Sequence, residues 1–259
     1  MLPRIPYAGC PLCEDKAVRA RTTVDCSKHA LYKDVLSPEM TWLECGACGH
    51  SYTEGYFSKE ALAVVFSGTQ ESQKVGAAFE EQRSIAGRMI DKVLPYADRG
   101  DWCDVGFGSG ALLFAAGEYG FSPCGIDLRG ENVEILRSLG IEAHQVDLAA
   151  FAHPSRFSVV SLCDVLEHMP YPKASLAAAR GLLAPDGVLL LSMPNLDSMA
   201  WSLLNSMNLN PYWAELEHYH NFGKSRLYAL LAETGFEPLR YGISERYRVG
   251  MEVIARKKA

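Results

Sequence analysis

No run of about 18 apolar residues occurs in the chain, so no segment is expected to cross a bilayer as a helix. The opening MLPRIPYAGCPLC lacks the apolar stretch of a secretory leader. Positive charge is in deficit: 25 Lys and Arg against 31 Asp and Glu leave a formal charge of −6. That argues against a surface built for nucleic acid, which draws on clustered Lys and Arg. Internal repeats and low-complexity tracts are also missing. What remains is 259 residues, 48% apolar and 22% charged: an ordinary globular chain, one large domain or a domain plus a small module, expected in the cytoplasm.

The eight cysteines are unevenly spread. Cys10, Cys13, Cys26, Cys45 and Cys48 crowd the first fifty residues, while Cys103, Cys124 and Cys163 sit in or beside apolar runs and read as core. In a reducing compartment a crowd of thiols points to a metal rather than disulfides. CPLC at 10–13 and CGAC at 45–48 form two knuckles, able to set four thiolates tetrahedrally around a structural zinc. Cys26 or His29 could replace one of them, and His50 lies nearby. Four protein ligands leave no open position for catalysis, and a module this small would use the metal in place of a large core.

The chain divides into a zinc-binding module (1–57), a helical linker or cap (58–98) and an alternating α/β region (99–259). Phe79, Ile85, Met89, Ile90 and Val93 recur near helical spacing until Pro95 and Gly100. Strands are expected at 101–106, 122–127, 141–146, 157–163 and 187–193, with helices at 110–119, 129–139 and 173–183. Such alternation implies a parallel sheet with helices on both faces. Residues 196–222 interrupt it and read as a substrate-side insert. SRLYALLAETG then makes a helix ending at Gly235, and FEPLRYGI and GMEVIARK pair as a hairpin with the last strand antiparallel.

WCDVGFGSGALLF, residues 102–114, is a buried strand running into glycines and a helix. Gly106, Gly108 and Ala111 satisfy a dinucleotide fingerprint on paper. Asp104, two residues before Gly106, separates the readings. A carboxylate at the strand mouth repels a pyrophosphate and suits a ligand with an ammonium and a sulfonium, as in S-adenosylmethionine (SAM). Gly110 lets the backbone pass close to such a ligand. Asp127, followed by Leu128, ends the second strand and can accept both ribose hydroxyls. Asp147, followed by Leu148, can bond an adenine amino group or cap a helix, and the two roles can coexist.

The segments DVGFGSG, GIDLRGENVEIL, QVDLAAF, VVSLCDVLEHMPYPKASLAAARGLLAPDGVLLLSMPN and LEHYHNFGKSRLYALLAETGF together resemble the class I SAM-dependent methyltransferases. The likeness is greatest to the branch with quinone and small-molecule O-methyltransferases. It implies a Rossmann-like, doubly wound seven-stranded sheet with the last strand reversed. It also implies that Asp104, Gly106, Gly108, Gly110, Asp127 and Asp147 line the SAM pocket, bordered by Asp164. Some relatives with an E-x-x-E-H pattern hold a divalent cation there; this chain has Asp164 in place of the first Glu.

Asp164, Glu167 and His168 stand at i, i+3 and i+4, one face of a helical turn if the chain coils there. His168 can take a proton from an acceptor hydroxyl; the alternative is a loop tied to its neighbours. Glu217, His218 and His220 in NPYWAELEHYHNF can fold back toward His168 as an acid–base or metal site, or pack at the rim of the insert. Trp201, Tyr212, Trp213 and Tyr219 suit a ring-shaped acceptor or an ordinary core. The expected activity is methyl transfer to a hydroxyl of a small molecule or glycan. The rivals are a SAM-binding protein without turnover, whose zinc module recruits a partner, and an rRNA methyltransferase. KAVRARTT gives the last little basic surface.

Overall fold

The computed structural model describes Leu2 and residues 4–67, 70–247 and 249–258. In chain order the elements begin with β1 (Arg4–Pro6), β2 (Val18–Asp25), β3 (Glu39–Cys45), β4 (Ser51–Thr53), β5 (Gly55–Phe57) and α1 (Lys59–Val65). Next come α2 (Phe79–Val93), β6 (Gly100–Val105), α3 (Ala111–Glu118), β7 (Phe121–Asp127), α4 (Gly130–Ser138), β8 (Glu142–Gln145) and β9 (Phe157–Cys163). The chain closes with α5 (Pro172–Leu182), β10 (Leu183–Pro194), α6 (Met199–Ser206), β11 (His220–Asn221), α7 (Lys224–Glu233), β12 (Phe236–Ile243) and β13 (Gly250–Lys257). No helix among the described residues is long and apolar enough to cross a membrane.

These elements fall into two compact units, one holding residues 1–68, 167–172 and 194–230, the other 69–166, 173–193 and 231–259. The first therefore joins the cysteine module to residues 58–68 and to most of the segment read as an insert. Its sheet runs β11-β4-β3-β2, with β1 on β5 beside it. The reason is apolar area: Trp42, Phe57, Leu216 and Tyr219 share one buried cluster. Trp42 Nε1 donates to the carbonyl of Trp213 at 2.7 Å, and the two rings meet edge-on at 5.5 Å. Fifty residues alone offer too little apolar surface for such a core.

The second unit carries a seven-stranded sheet in the order β12-β13-β10-β9-β6-β7-β8. β10, β9, β6, β7 and β8 pair in parallel, and β12 and β13 are antiparallel. The expected fold class is therefore the observed one. Parallel strands are covered on both faces, which explains the near-continuous apolar runs in β9 and β10. Ala86, Met89, Ile90 and Val93 of α2 lie at helical spacing and pack with Trp102, Leu112, Ala116 and Phe121. The chain leaves β6 toward β8, then returns to β9 on the other side of β6. That reversal marks the switch point at which open sheets of this kind bind ligands.

Gly125 in β7 keeps α3 close to the sheet. A Cβ there would stand 2.6 Å from Phe107 Cδ1 and 2.8 Å from Leu113 Cδ1. Gly125→Val is expected to destabilise the unit by about 1–3 kcal/mol, the usual cost of overpacking. Thermal unfolding checks this, and an unchanged melting temperature would contradict the packing argument.

Candidate active site and metal centre

The turn from β6 into α3 stands at the switch point. Gly106, Gly108 and Gly110 all have positive φ, at 64°, 52° and 75°. At Gly106 the left-handed backbone sends its N–H to the carbonyl of Ile126 at 2.7 Å, and a Cβ would come within 2.9 Å of Val165 Cγ2. Gly110 heads α3, where the N–H of Phe114 reaches its carbonyl at 3.0 Å. Glycine alone adopts these angles without steric cost, leaving the backbone bare toward a ligand.

Four acids border this turn or end the neighbouring strands. Asp104 is buried and accepts a hydrogen bond from Ser161 Oγ at 2.6 Å. Burial pushes its carboxyl up to about 7, helped by Asp127 and Asp164, while the Ser161 bond and Arg246 pull the other way. Asp127, also buried, accepts from the N–H of Arg129 at 2.9 Å and lies 3.4 Å from the N–H of Gly108. Asp147 is exposed and caps a short 3-10 turn through the N–H of Ala149 at 2.8 Å, so the capping role is present. Leu128 is exposed and Leu148 buried.

Asp164 has a partner that sequence reasoning missed. Its Oδ2 lies 2.8 Å from Arg246 Nε, its Oδ1 accepts from Ser192 Oγ at 3.2 Å, and its φ is 58°. Arg246 comes from the β12–β13 hairpin, about eighty residues away in sequence, and no spacing pattern could announce it. Ser161 could have been noticed: it is the polar interruption in the buried strand VVSLC.

The other candidates belong to the first unit. Glu167, His168 and His218 each offer a ligand atom within 4.8 Å of the others. His168 Nδ1 donates to the carbonyl of Glu217 at 3.0 Å, which leaves the lone pair on Nε2. The rings of His168 and His218 meet edge-on at 4.6 Å, and burial holds His218 well below its ordinary pKa. His220 departs from the catalytic expectation. Its Nε2 donates to the carbonyl of Met169 at 2.9 Å and its Nδ1 meets His50 Nε2 at 3.0 Å. With both ring nitrogens engaged and burial lowering its pKa to about 3, it has no lone pair for proton transfer. Trp201, Trp213 and Tyr219 are likewise packing residues: Trp201 and Tyr219 are 1% exposed, and Trp213 lies against Trp42.

Cys10, Cys13, Cys45 and Cys48 converge as the spacing requires. Cys10 and Cys48 sulfurs are 3.7 Å apart, Cys13 and Cys45 sulfurs 3.4 Å. A tetrahedron with Zn–S of about 2.3 Å has edges of about 3.8 Å, so the four thiols fit zinc. Cys26 instead packs with Trp42 in the core, and His29 Nε2 bonds Glu215 at 3.0 Å, so neither replaces a knuckle thiol.

Comparison with known proteins agrees with this architecture. Residues 79–241 match the family model described as a methyltransferase domain. A ubiquinone biosynthesis O-methyltransferase of Actinobacillus pleuropneumoniae is 33% identical over 113 residues, 39% of this chain and 48% of that one. One from Thiobacillus denitrificans is 32% identical over 124 residues, 45% of this chain and 53% of that one. The matched stretch thus spans about half the length of these relatives. Among solved structures, the 1,6-didemethyltoxoflavin-N1-methyltransferase of Burkholderia thailandensis superposes with a TM-score of 0.57 at 18% identity, covering 85% of this chain and 96% of that one. Magnesium protoporphyrin IX methyltransferase from Synechocystis gives 0.53 at 19% identity, over 71% and 89%. Both were solved with bound S-adenosylhomocysteine and share the fold. With the switch-point glycines, the acid-ended strands and a family match over more than half of its residues, the chain belongs to the methyltransferase-domain family, on a class I SAM-dependent methyltransferase fold.

Proposed function

We propose that this chain is a SAM-dependent methyltransferase acting on a hydroxyl of a small molecule or glycan, with a structural zinc held by Cys10, Cys13, Cys45 and Cys48. The observation that supports it most is the buried Asp104 beside three left-handed glycines, in the company of Asp127 and Asp164. Such an acid-lined turn favours a cationic nucleoside over a diphosphate. Asp104 would meet the ammonium and Asp127 the ribose hydroxyls, with Asp147, Leu128 and Leu148 around the adenine. The ubiquinone-type relatives are O-methyltransferases by name, which favours oxygen as the acceptor atom.

SAM already carries a good leaving group, so the protein's task is to align the acceptor oxygen with the methyl and exclude water. His168 is the proposed base, because its Nδ1–H is committed to the Glu217 carbonyl and Nε2 remains the basic atom. A second reading is favoured by the convergence of Glu167, His168 and His218. These three would hold a divalent cation, which when bound would acidify the acceptor hydroxyl directly.

The test is calorimetric binding of SAM, followed by adenosylhomocysteine release with a panel of phenols and sugars. Asp127→Ala should weaken SAM binding, and unchanged affinity would remove the ribose assignment. His168→Gln should lower kcat by roughly 10²–10⁴-fold with SAM affinity intact. Full turnover by that variant would rule out the base. SAM binding with no turnover on any acceptor would favour the non-catalytic rival.

A further inference from the structure

We propose that the methyl acceptor is an uncharged phenol-type ring, seated in the second unit between α2 and the turn of the β12–β13 hairpin. This rests on the methyltransferase reading above and names its acceptor. A cleft of about 590 Å³ lies there, within the range of small-molecule sites. Methyl transfer needs the acceptor at near-attack distance from SAM, so its site must open on the same sheet edge as the glycine turn.

Helical periodicity makes one wall. Glu81, Ser84, Ile85 and Arg88 recur at i, i+3, i+4 and i+7, one stripe of α2. The stripe on its other side, Ala86, Met89, Ile90 and Val93, is buried in the core of the unit. The hairpin makes the facing wall, with Ile243 at the end of β12 and Ser244, Glu245 and Arg246 in the turn. Two contacts tie that turn to the acid cluster. Ser244 Oγ meets Ser192 Oγ at 3.2 Å, and Arg246 Nε lies 2.8 Å from Asp164 Oδ2. Asp164 follows β9 and Ser192 lies near the end of β10, so the cleft shares the ligand edge of the sheet.

The charges of the lining cancel. It holds two acids, Glu81 and Glu245, and two bases, Arg88 and Arg246. Arg88 Nε donates to Glu245 Oε2 at 2.8 Å, Lys92 Nζ lies 2.6 Å from Glu245 Oε1, and Arg246 faces Asp164. Arg88 Nη1 also donates to Ser84 Oγ at 3.0 Å. Glu81 is exposed, where an ion pair is worth little. A charged acceptor of either sign would have to break one of the existing pairs to gain a counter-ion, or sit without one. A neutral molecule meets neither cost.

Ile85 from α2 and Ile243 from β12 put apolar surface on both walls. Ile85 packs half-buried against the core, and Ile243 is 70% exposed. An aromatic ring presents two apolar faces and keeps its hydroxyl in the plane between them. A sugar ring carries hydroxyls around its rim and would bring them against the isoleucines. In the transfer the phenol oxygen forms the new bond to the methyl carbon as the C–S bond of SAM breaks. The electron pair stays on sulfur, giving adenosylhomocysteine, and the phenol proton leaves to a base.

The experiment is isothermal titration of the full-length protein preloaded with adenosylhomocysteine. Three probes share one ring: 5-hydroxyindole is neutral, 5-hydroxytryptamine cationic and 5-hydroxyindole-3-acetate anionic. Methyl β-D-glucoside stands for a sugar acceptor. 5-Hydroxyindole should bind saturably, and the other three about tenfold or more weakly, the worth of one desolvated polar group left unpaired. Ile243→Asp should weaken 5-hydroxyindole binding by about tenfold or more, with adenosylhomocysteine affinity unchanged. The exposed position of Ile243 spares the fold, and Ile85→Ala, checked by thermal unfolding, should act in the same direction. A protein that binds no adenosylhomocysteine would remove the methyltransferase reading and this site with it. The phenol site alone is overturned if adenosylhomocysteine binds and 5-hydroxyindole does not at millimolar concentration. Equal or tighter binding of a charged probe or the glucoside, or binding unchanged by Ile243→Asp, would overturn it too.

Discussion

Asp104→Asn is expected to lose SAM affinity by roughly thirtyfold or more, yet to be more stable than the parent above pH 7. The loss follows from removing one charge of a buried pair, which costs about 2–5 kcal/mol. The gain follows from linkage. Burial, first among the causes, raises this carboxyl from 3.8 to about 7 in the folded chain. A raised carboxyl pKa means that the folded state holds the proton more tightly. Its contribution is complete below about pH 4, declines as pH rises, and is gone above about 7, a total on the order of 4 kcal/mol. Asparagine keeps an oxygen for the Ser161 hydroxyl and never ionises, so this decline disappears.

The same group makes SAM binding depend on pH. Below pH 7 the parent must release a proton from Asp104 to receive the ammonium, so affinity should fall by up to about tenfold per unit as pH drops from 7. Calorimetry in buffers of different ionisation enthalpy should detect that proton release. Thermal scans and titrations of both proteins from pH 5 to 8.5 test the whole argument (range chosen to bracket the shifted carboxyl). Equal SAM affinity in the two proteins, or a SAM affinity of the parent flat across that range, would contradict the ammonium contact.

Loss of the proposed zinc from the first unit is expected to be the second large effect. Purified protein should contain one zinc per chain, and Cys45→Ser should lose it. Structural zinc contributes roughly 10–16 kcal/mol in isolated fingers, and this unit also has the Trp42 core. The loss should therefore be smaller but still on the order of 5 kcal/mol or more. Cys45 ends β3, so the damage should pass along β3–β4 and, through β4–β11, reach His220 and Asn221. Amide exchange should quicken at residues 39–53 and 220–221 together. A zinc-free Cys45→Ser protein that keeps slow exchange at both places would show the thiols to be structurally idle.

The sheet was legible because its signals are local. Strand mouths end in Asp104, Asp127 and Asp164, glycines sit where φ turns positive, and helices α3, α4 and α5 fall within a residue or two of their expected bounds. The knuckle spacing likewise predicts convergence, since two short loops place four sulfurs with little help from the rest of the chain. The histidines were harder. His218 and His220 stand two residues apart with similar neighbours, yet one offers an open ring nitrogen and the other has both engaged. That difference depends on His50 and Met169, remote in sequence.

The sequence by itself determined the kind of protein this is: a parallel α/β sheet with an acid-lined glycine turn and a four-thiol cluster, because each depends on residues close along the chain. Only the tertiary structure decided that the cysteine module shares its core with residues 194–230, that Arg246 pairs with Asp164, and that His220 is spoken for. Those outcomes depend on apolar area and hydrogen-bond partners brought together from distant segments, and no periodicity or spacing in one segment records what another will supply.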